Sequence, residues 1–404
     1  MNMDYAKLGT YCKVISGYAF KSSDWQDEGI PVIKIGNISN GCDVILDEQT
    51  QYVDDVFFEK LDPKYRIEKG DILVSLTGSH INQPNSMVGR SCRNYTDRLY
   101  LLNQRAGKVI PFASVDKDYL YYLFSTKAIK YDIANRAYGG ANQVNVSPTD
   151  IKSIKWTFPE IGIQKKIAAV LSKYDELIHI NNKRIKLLEQ MAEKLYKDWF
   201  SYEKTKKMSK EFRLKEIIEI ARGVSYSSEE IDVENGINLV NLKNIQAFGG
   251  FRRDGTKTYN GKYKEEQAVT YGDLIMGVTD MTQDRRTVAS VAIVPNLTGV
   301  SVISADLIKI VSDIDNIFLY AMFKYGNVSR YISQFANGAN VLHLRPQAVL
   351  NIKVMLPPQE MIDKYVRIAK PLLEQIERLN QANDNLIIQR DMLLPRLMSG
   401  KLEV

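Results

Sequence analysis

Three cysteines and three histidines are all that this chain of 404 residues offers to soft metals or to thiol and imidazole chemistry. Cys12, Cys42 and Cys92 are odd in number, crowd into the first hundred residues and show no C-x-x-C spacing. That argues against a disulfide framework and against structural zinc, leaving buried thiols as the expectation. His80, His179 and His343 are far apart and share no ligand spacing, so no metal site is expected. No uncharged apolar run approaches the ~18 residues of a membrane helix, and the opening MNMDYAKLGTYCKVISG lacks the basic-then-apolar layout of a signal peptide. We therefore expect a soluble, cytoplasmic protein. A phosphate-binding G-x-x-x-x-G-K-[ST] run is missing, as are a G-x-G-x-x-G element after a strand and any Asn-Pro-Pro-aromatic or Asp-Pro-Pro-aromatic sequence. Neither a nucleotide-driven motor nor an adenine methyltransferase is written into the chain, so it is read as non-catalytic and without a cofactor of its own.

What is present is ordinary in amount. Hydrophobic residues at 45% and charged residues at 25% describe a folded globular chain, and the length fits two or three domains. The balance of 54 basic against 48 acidic residues suits a polyanionic partner, although a solvated mixed-charge surface explains +6 equally well.

The informative feature is an internal repeat with a period near 200 residues. AYGGANQVNVSPTDIKSIKWTFPE (137–160) is echoed by FANGANVLHLRPQAVLNIKVMLPP (335–358): Gly140, Ala141, Asn142, Pro148 and Pro159 match Gly338, Ala339, Asn340, Pro346 and Pro357, all 198 residues apart. KGDILVSLTG (69–78) pairs with YGDLIMGVTD (271–280), Gly70 with Gly272 and Asp71 with Asp273, at 202; Leu8 and Gly17 pair with Leu214 and Gly223 at 206. The drift from 206 to 198 makes the second copy shorter, with the differences expected in surface loops.

Each copy ends in a long helical stretch. Over 164–200 apolar residues recur at three- and four-residue steps through Ile167, Val170, Leu171, Tyr174, Leu177, Ile178, Ile185, Leu188, Met191, Leu195 and Trp199. The same spacing runs over 359–397 from Ile362 and Tyr365 to Leu393 and Leu397. At 1.5 Å per residue each run would extend roughly 55 Å. Two such helices with matching seams most simply pack antiparallel as a coiled coil, in which Asn181 and Asn383, at equivalent seam positions, would fix the register. The bodies before the helices read as mixed α and β, with short strands such as PVIKIGNI (31–38), DILVSL (71–76) and VASVAIV (288–294), and short helices over 117–137 and 313–335. The expected fold is α+β: two similar domains, 1–158 and 202–356, separated by long helices over 159–201 and 357–404.

This arrangement resembles the specificity subunits of type I restriction-modification systems. The likeness covers essentially the whole chain and is carried by SGYAFKSSDW (16–25), GIPVIKIGNI (29–38), GDILVSLTGS (70–79), LNQRAGKV (102–109) and the close RDMLLPRLMSGKLEV (390–404), whose helix is expected to stop at Pro395 and Gly400. The resemblance implies that each body is a target recognition domain for one half of a split site in double-stranded DNA, and that the helices form a ruler between them. It further implies docking to two modification subunits, which bind S-adenosylmethionine and methylate adenine, and through them to restriction subunits; S-adenosylmethionine, ATP and magnesium belong to those partners. The second repeat departs from the pattern: ARGVSYSSEE replaces SGYAFKSSDW, and no NQR follows its GDL strand.

Base reading needs donors and acceptors, chiefly on Arg, Lys, Asn, Gln, Ser and Thr, while Lys and Arg hold phosphates. Three sets of candidates occupy symmetric places. The loop TGSHINQPNSMVGR offers Ser79, His80, Asn82, Gln83 and Arg90, and its counterpart TDMTQDRRT offers Thr282, Gln283, Arg285 and Arg286. Beyond the Gly-Ala-Asn match lie Asn142, Gln143 and Asn145, against Asn340, His343 and Arg345. Lys21 and Ser22 near the start of the first body face Tyr226 and Ser227 in the second. Each of these also has a structural reading, as hydrophilic surface loop or turn cap. Asp71 and Asp273 invite a metal-carboxylate reading but open strands, where a turn-holding role is expected. Two other functions stay open: a stand-alone nuclease, which would need an acidic cluster with lysine in one body only, and a scaffold whose bodies bind something other than DNA.

Overall fold

The computed structural model describes residues 3–39, 43–47, 49–79, 87–140, 143–201 and 208–404. Two compact units divide the chain, Met1–Ile180 with Asn383–Val404, and Asn181–Ala382. In the first, an antiparallel four-stranded sheet runs in the order Cys12–Ser16, Ala106–Pro111, Ile72–Ser75, Ser91–Arg93. A five-stranded sheet runs Trp25–Gln26, Gln51–Val53, Ile30–Ile33, Tyr100–Leu102, Arg66–Ile67, with one parallel pair between Ile30–Ile33 and Tyr100–Leu102. The strand Ile72–Ser75 is buried on both faces, as its unbroken apolar run requires. Met3–Lys7 pairs with Lys155–Pro159, the strand that leads into the first long helix.

The second unit repeats this plan. Its four-stranded sheet runs Glu219–Arg222, Leu307–Val311, Leu274–Gly277, Val291–Ile293. Its other large sheet holds the corresponding parallel pair, Ile237–Val240 with Ser301–Ile303, and Lys210–Arg213 pairs with Lys353–Leu356. The matched residues now have causes. A Cβ on Gly17 would run into the backbone carbonyls of Leu102 and Asn103, and one on Gly223 into those of Ile303 and Ser304, so both places demand glycine. Gly70 and Gly272 turn with φ of +81° and +92°. The carboxylates that follow them do hold these turns: Asp71 accepts the amide of Glu68 at 2.9 Å and Asp273 that of Thr270 at 2.8 Å, and each pairs with a strand lysine, Lys108 or Lys309.

The helical stretch expected over 117–137 consists of two short helices, Lys117–Ser125 and Lys127–Asn135, divided where Thr126 caps the second through the amide of Ile129. Its counterpart is likewise two, Asn316–Lys324 and Val328–Ser333, broken at Asn327, whose φ is +61°. Tyr119 to Phe124 and Phe318 to Phe323 are all buried, so the first helix of each pair sits inside its unit's core.

The long helices are Ile161–Phe200 and Gln359–Met398. The early part of one packs with the late part of the other in each unit: Asp175 bonds Arg390 at 2.7 Å in the first, and Tyr196 meets Tyr365 with ring centroids 5.9 Å apart in the second. The helices are therefore antiparallel. Two details of the expected helices change. Val170, Leu177 and Met191 are exposed and not in the seam, and the second helix runs through Pro395 to end at Met398, before Gly400 with φ of +71°. Proline removes one amide donor near a helix end, where the last turn still closes through Ser399 N–H onto the Pro395 carbonyl at 3.1 Å. Among the described residues no helix is long and apolar enough to cross a membrane.

Candidate nucleic-acid interface

The two polar loops start from identical frames. Thr77–Gly78 pairs antiparallel with Gln143–Asn145, Thr77 opposite Asn145 and Gly78 opposite Val144. Thr279–Asp280 pairs with Leu342–His343, Thr279 opposite His343 and Asp280 opposite Leu342. The strands that carry the first and second sets of candidate residues are thus paired in each unit. The repeat match needs a shift of one at the hairpin tip: the glycine conformation shared by both copies belongs to Gly139 at +147° and Gly338 at +153°, and a Cβ on either would strike a carbonyl across the turn.

On this frame the described candidates differ in what they present. Gln143, Asn340, His343 and Arg345 are exposed, and Ser79, Arg90 and Asn145 half-buried. Asn145 is held by the Thr77 hydroxyl at 2.8 Å, and Arg345 precedes the short helix Pro346–Leu350. His80, Asn82, Gln83 and Asn142 lie outside the described residues.

In the second unit several candidates spend donors on the protein itself. Gln283 Nε2 donates to the Ala339 carbonyl at 2.9 Å, Arg285 Nε to the Ser333 carbonyl at 3.1 Å, and Arg286 meets Asp284 at 2.8 Å. What organises the loop is a residue that sequence reasoning passed over. Asp280 is 2% exposed, and its carboxylate accepts Thr282 N–H and Thr282 Oγ1–H at 2.8 Å each, Thr287 N–H at 2.6 Å and Val288 N–H at 3.2 Å. Burial alone would raise its pKa, but the amides of Thr287, Thr282 and Val288 and the Thr282 hydroxyl together hold it below the ordinary aspartate value. The signal was legible as Asp-x-Thr at the loop's entry, an arrangement that closes on its own backbone. Arg285 takes a φ of +55° within this clamp.

The third set stands apart, on turns that lead into the other large sheet. Lys21 N–H donates to Asp24 at 2.7 Å and Ser227 N–H to Glu230 at 2.8 Å, so the two residues share one backbone role while their side chains, with Ser22, are exposed. Tyr226 instead packs against the cluster of Val224, Leu239, Tyr259 and Val302. On the helices, Asn383 is buried and Asn181 half-buried. Among the described residues no group of three or more His, Cys, Asp or Glu side chains converges as a metal site would require.

Two copies of one body, each offering a polar hairpin and loop on the same strand pair, define a duplicated recognition protein. The chain belongs to the family of type I restriction modification DNA specificity domains, which matches it twice, over residues 2–190 and 206–387. Its role is DNA-sequence specificity through two recognition domains, and it is a non-catalytic one. It is 26% identical over 328 residues to the type I restriction enzyme MjaIX specificity subunit of Methanocaldococcus jannaschii, covering 75% of this chain and 73% of that protein. It is also 26% identical over 397 residues to the putative MjaX specificity subunit of the same organism, covering 93% and 88%. The fold is similar to the crystal structure of the S subunit of the type I system of M. genitalium, with a TM-score of 0.58 at 16% identity over 98% of this chain and 96% of that one.

Proposed function

We propose that the bodies 1–158 and 202–356 read the two halves of a split sequence in double-stranded DNA, while the helices over 159–201 and 357–404 act as the spacer between half-sites. The observation that carries this is the common frame with different side chains on it: Asn145, opposite Thr77 in one copy, stands where His343, opposite Thr279, stands in the other. A single frame with two sets of polar groups is what reading two unlike half-sites requires. Asn181 and Asn383 set the helix register.

The same helices dock two modification subunits, which supply S-adenosylmethionine and methylate adenine, and through them the restriction subunits with ATP and magnesium. Support comes from Leu177, Ile180, Leu187 and Met191, all exposed and spaced so as to share one face of the first long helix. The assembly works in the cytoplasm, where its DNA is. Mapping methylated adenines in the host genome with and without this gene tests the reading: one split motif should vanish with the gene. An unchanged methylation map, or loss of an unbroken motif, overturns it.

A further inference from the structure

Phe248 occupies a backbone position that suits a different residue. Gly249 N–H donates to the Gln246 carbonyl at 2.9 Å, closing a tight turn in which Phe248 is third, with φ of +61°. Glycine or asparagine is favoured at such a place, and a bulky aromatic there is a conformational outlier. Two glycines follow it directly, at +107° and +123°, so permissive residues are at hand in the same turn. Nor does burial explain the choice, since the side chain is 55% exposed.

The turn is fastened to the polar loop. Phe248 N–H donates to the Arg286 carbonyl at 2.8 Å, and Gly250 N–H to the Val291 carbonyl at 2.9 Å. The stem of Lys324 runs beside Gly249. An exposed ring is thus held in a strained conformation on a turn bonded to the backbone of the loop that the proposed reading sets against DNA. Strain of this kind persists where the surrounding structure enforces it, and it gathers at binding sites.

We infer that Phe248 is a specificity-determining residue of the second recognition domain, making an apolar contact to DNA bases in its half-site. The contact is either to a thymine methyl group or to the face of a base at an opened step. This inference rests on the DNA-reading function proposed above.

The test uses the full chain assembled with its modification subunits and a duplex carrying the motif found by methylation mapping. Phe248→Gly and Phe248→Asn should melt no lower than the parent protein, because both relieve the turn, yet bind the duplex roughly five- to a hundredfold more weakly. Phe248→Tyr should retain binding. In the parent assembly, a loss of affinity when one thymine of the second half-site becomes deoxyuridine identifies a methyl contact, and a rise in 2-aminopurine fluorescence identifies an opened step. Either supports the inference when Phe248→Gly abolishes it. Full binding by Phe248→Gly, or lower melting by both small variants, overturns it. Failure of the parent assembly to bind any duplex overturns the function itself, a distinguishable result.

Discussion

Replacing Asp280 by asparagine should loosen the second unit's polar loop while leaving the rest of that unit folded. The carboxylate accepts four hydrogen bonds, two on each oxygen. An amide that turns its NH2 towards Thr282 can donate to the hydroxyl there but opposes the Thr282 N–H, and one turned the other way opposes the Thr287 and Val288 amides, so at least one bond is lost and those that remain lose their charge. Hydrogen bonds to a charged group contribute about 1.5–3 kcal/mol each, so loop closure should weaken by about 3 kcal/mol or more. At about 1.4 kcal/mol per factor of ten, hydrogen exchange at the Thr282, Thr287 and Val288 amides should accelerate roughly a hundredfold. Discrimination at the second half-site should fall, with the first half-site read as before. Unchanged protection of those three amides would refute the reasoning. The pH dependence has a definite sign: the folded pKa is depressed, so the contribution is complete above the unfolded value of about 3.9 and disappears as pH falls through the lower folded value.

Arg390→Met strands the Asp175 carboxylate, which is 6% exposed and also receives the Tyr122 hydroxyl at 2.7 Å; urea denaturation should register a loss of about 3–5 kcal/mol. Asp175→Leu with Arg390→Met should recover most of that, and a double variant as unstable as the single one would refute the account. Exchanging Asn145 or His343 for alanine should relax the methylated motif at a single half-site, read by genome methylation mapping; relaxation of both halves would contradict separate readers. Inserting one helical turn into either long helix should alter the unspecified gap or abolish activity, without changing the letters of either half-site.

The duplication was legible because its anchors are backbone requirements. Gly17 and Gly223 face carbonyls that forbid a side chain, and Gly70 with Asp71 and Gly272 with Asp273 each build a turn, so the residues announce the geometry. Helix periodicity was legible too, but not what covers each side: Leu177 and Met191 keep the spacing of the seam yet face outward, since a three-four repeat on a long helix fits more than one stripe. The site was the least legible part. Gln283 and Arg285 look from their chemistry like outward donors and are instead tied to the Ala339 and Ser333 carbonyls. Nothing in residue type distinguishes a donor that holds a loop from one offered to a ligand, and that distinction depends on backbone paths some fifty residues away in sequence.

The one-residue slip at the hairpin tips has a consequence for how such a protein acquires new targets. Strand pairing stays in step on both sides of Gly139 and Gly338, so an added or deleted residue at the apex is absorbed locally and displaces only the groups carried there. Vocabulary can then be rewritten by small changes in length at the apex, while the grammar of paired strands beneath it is left untouched.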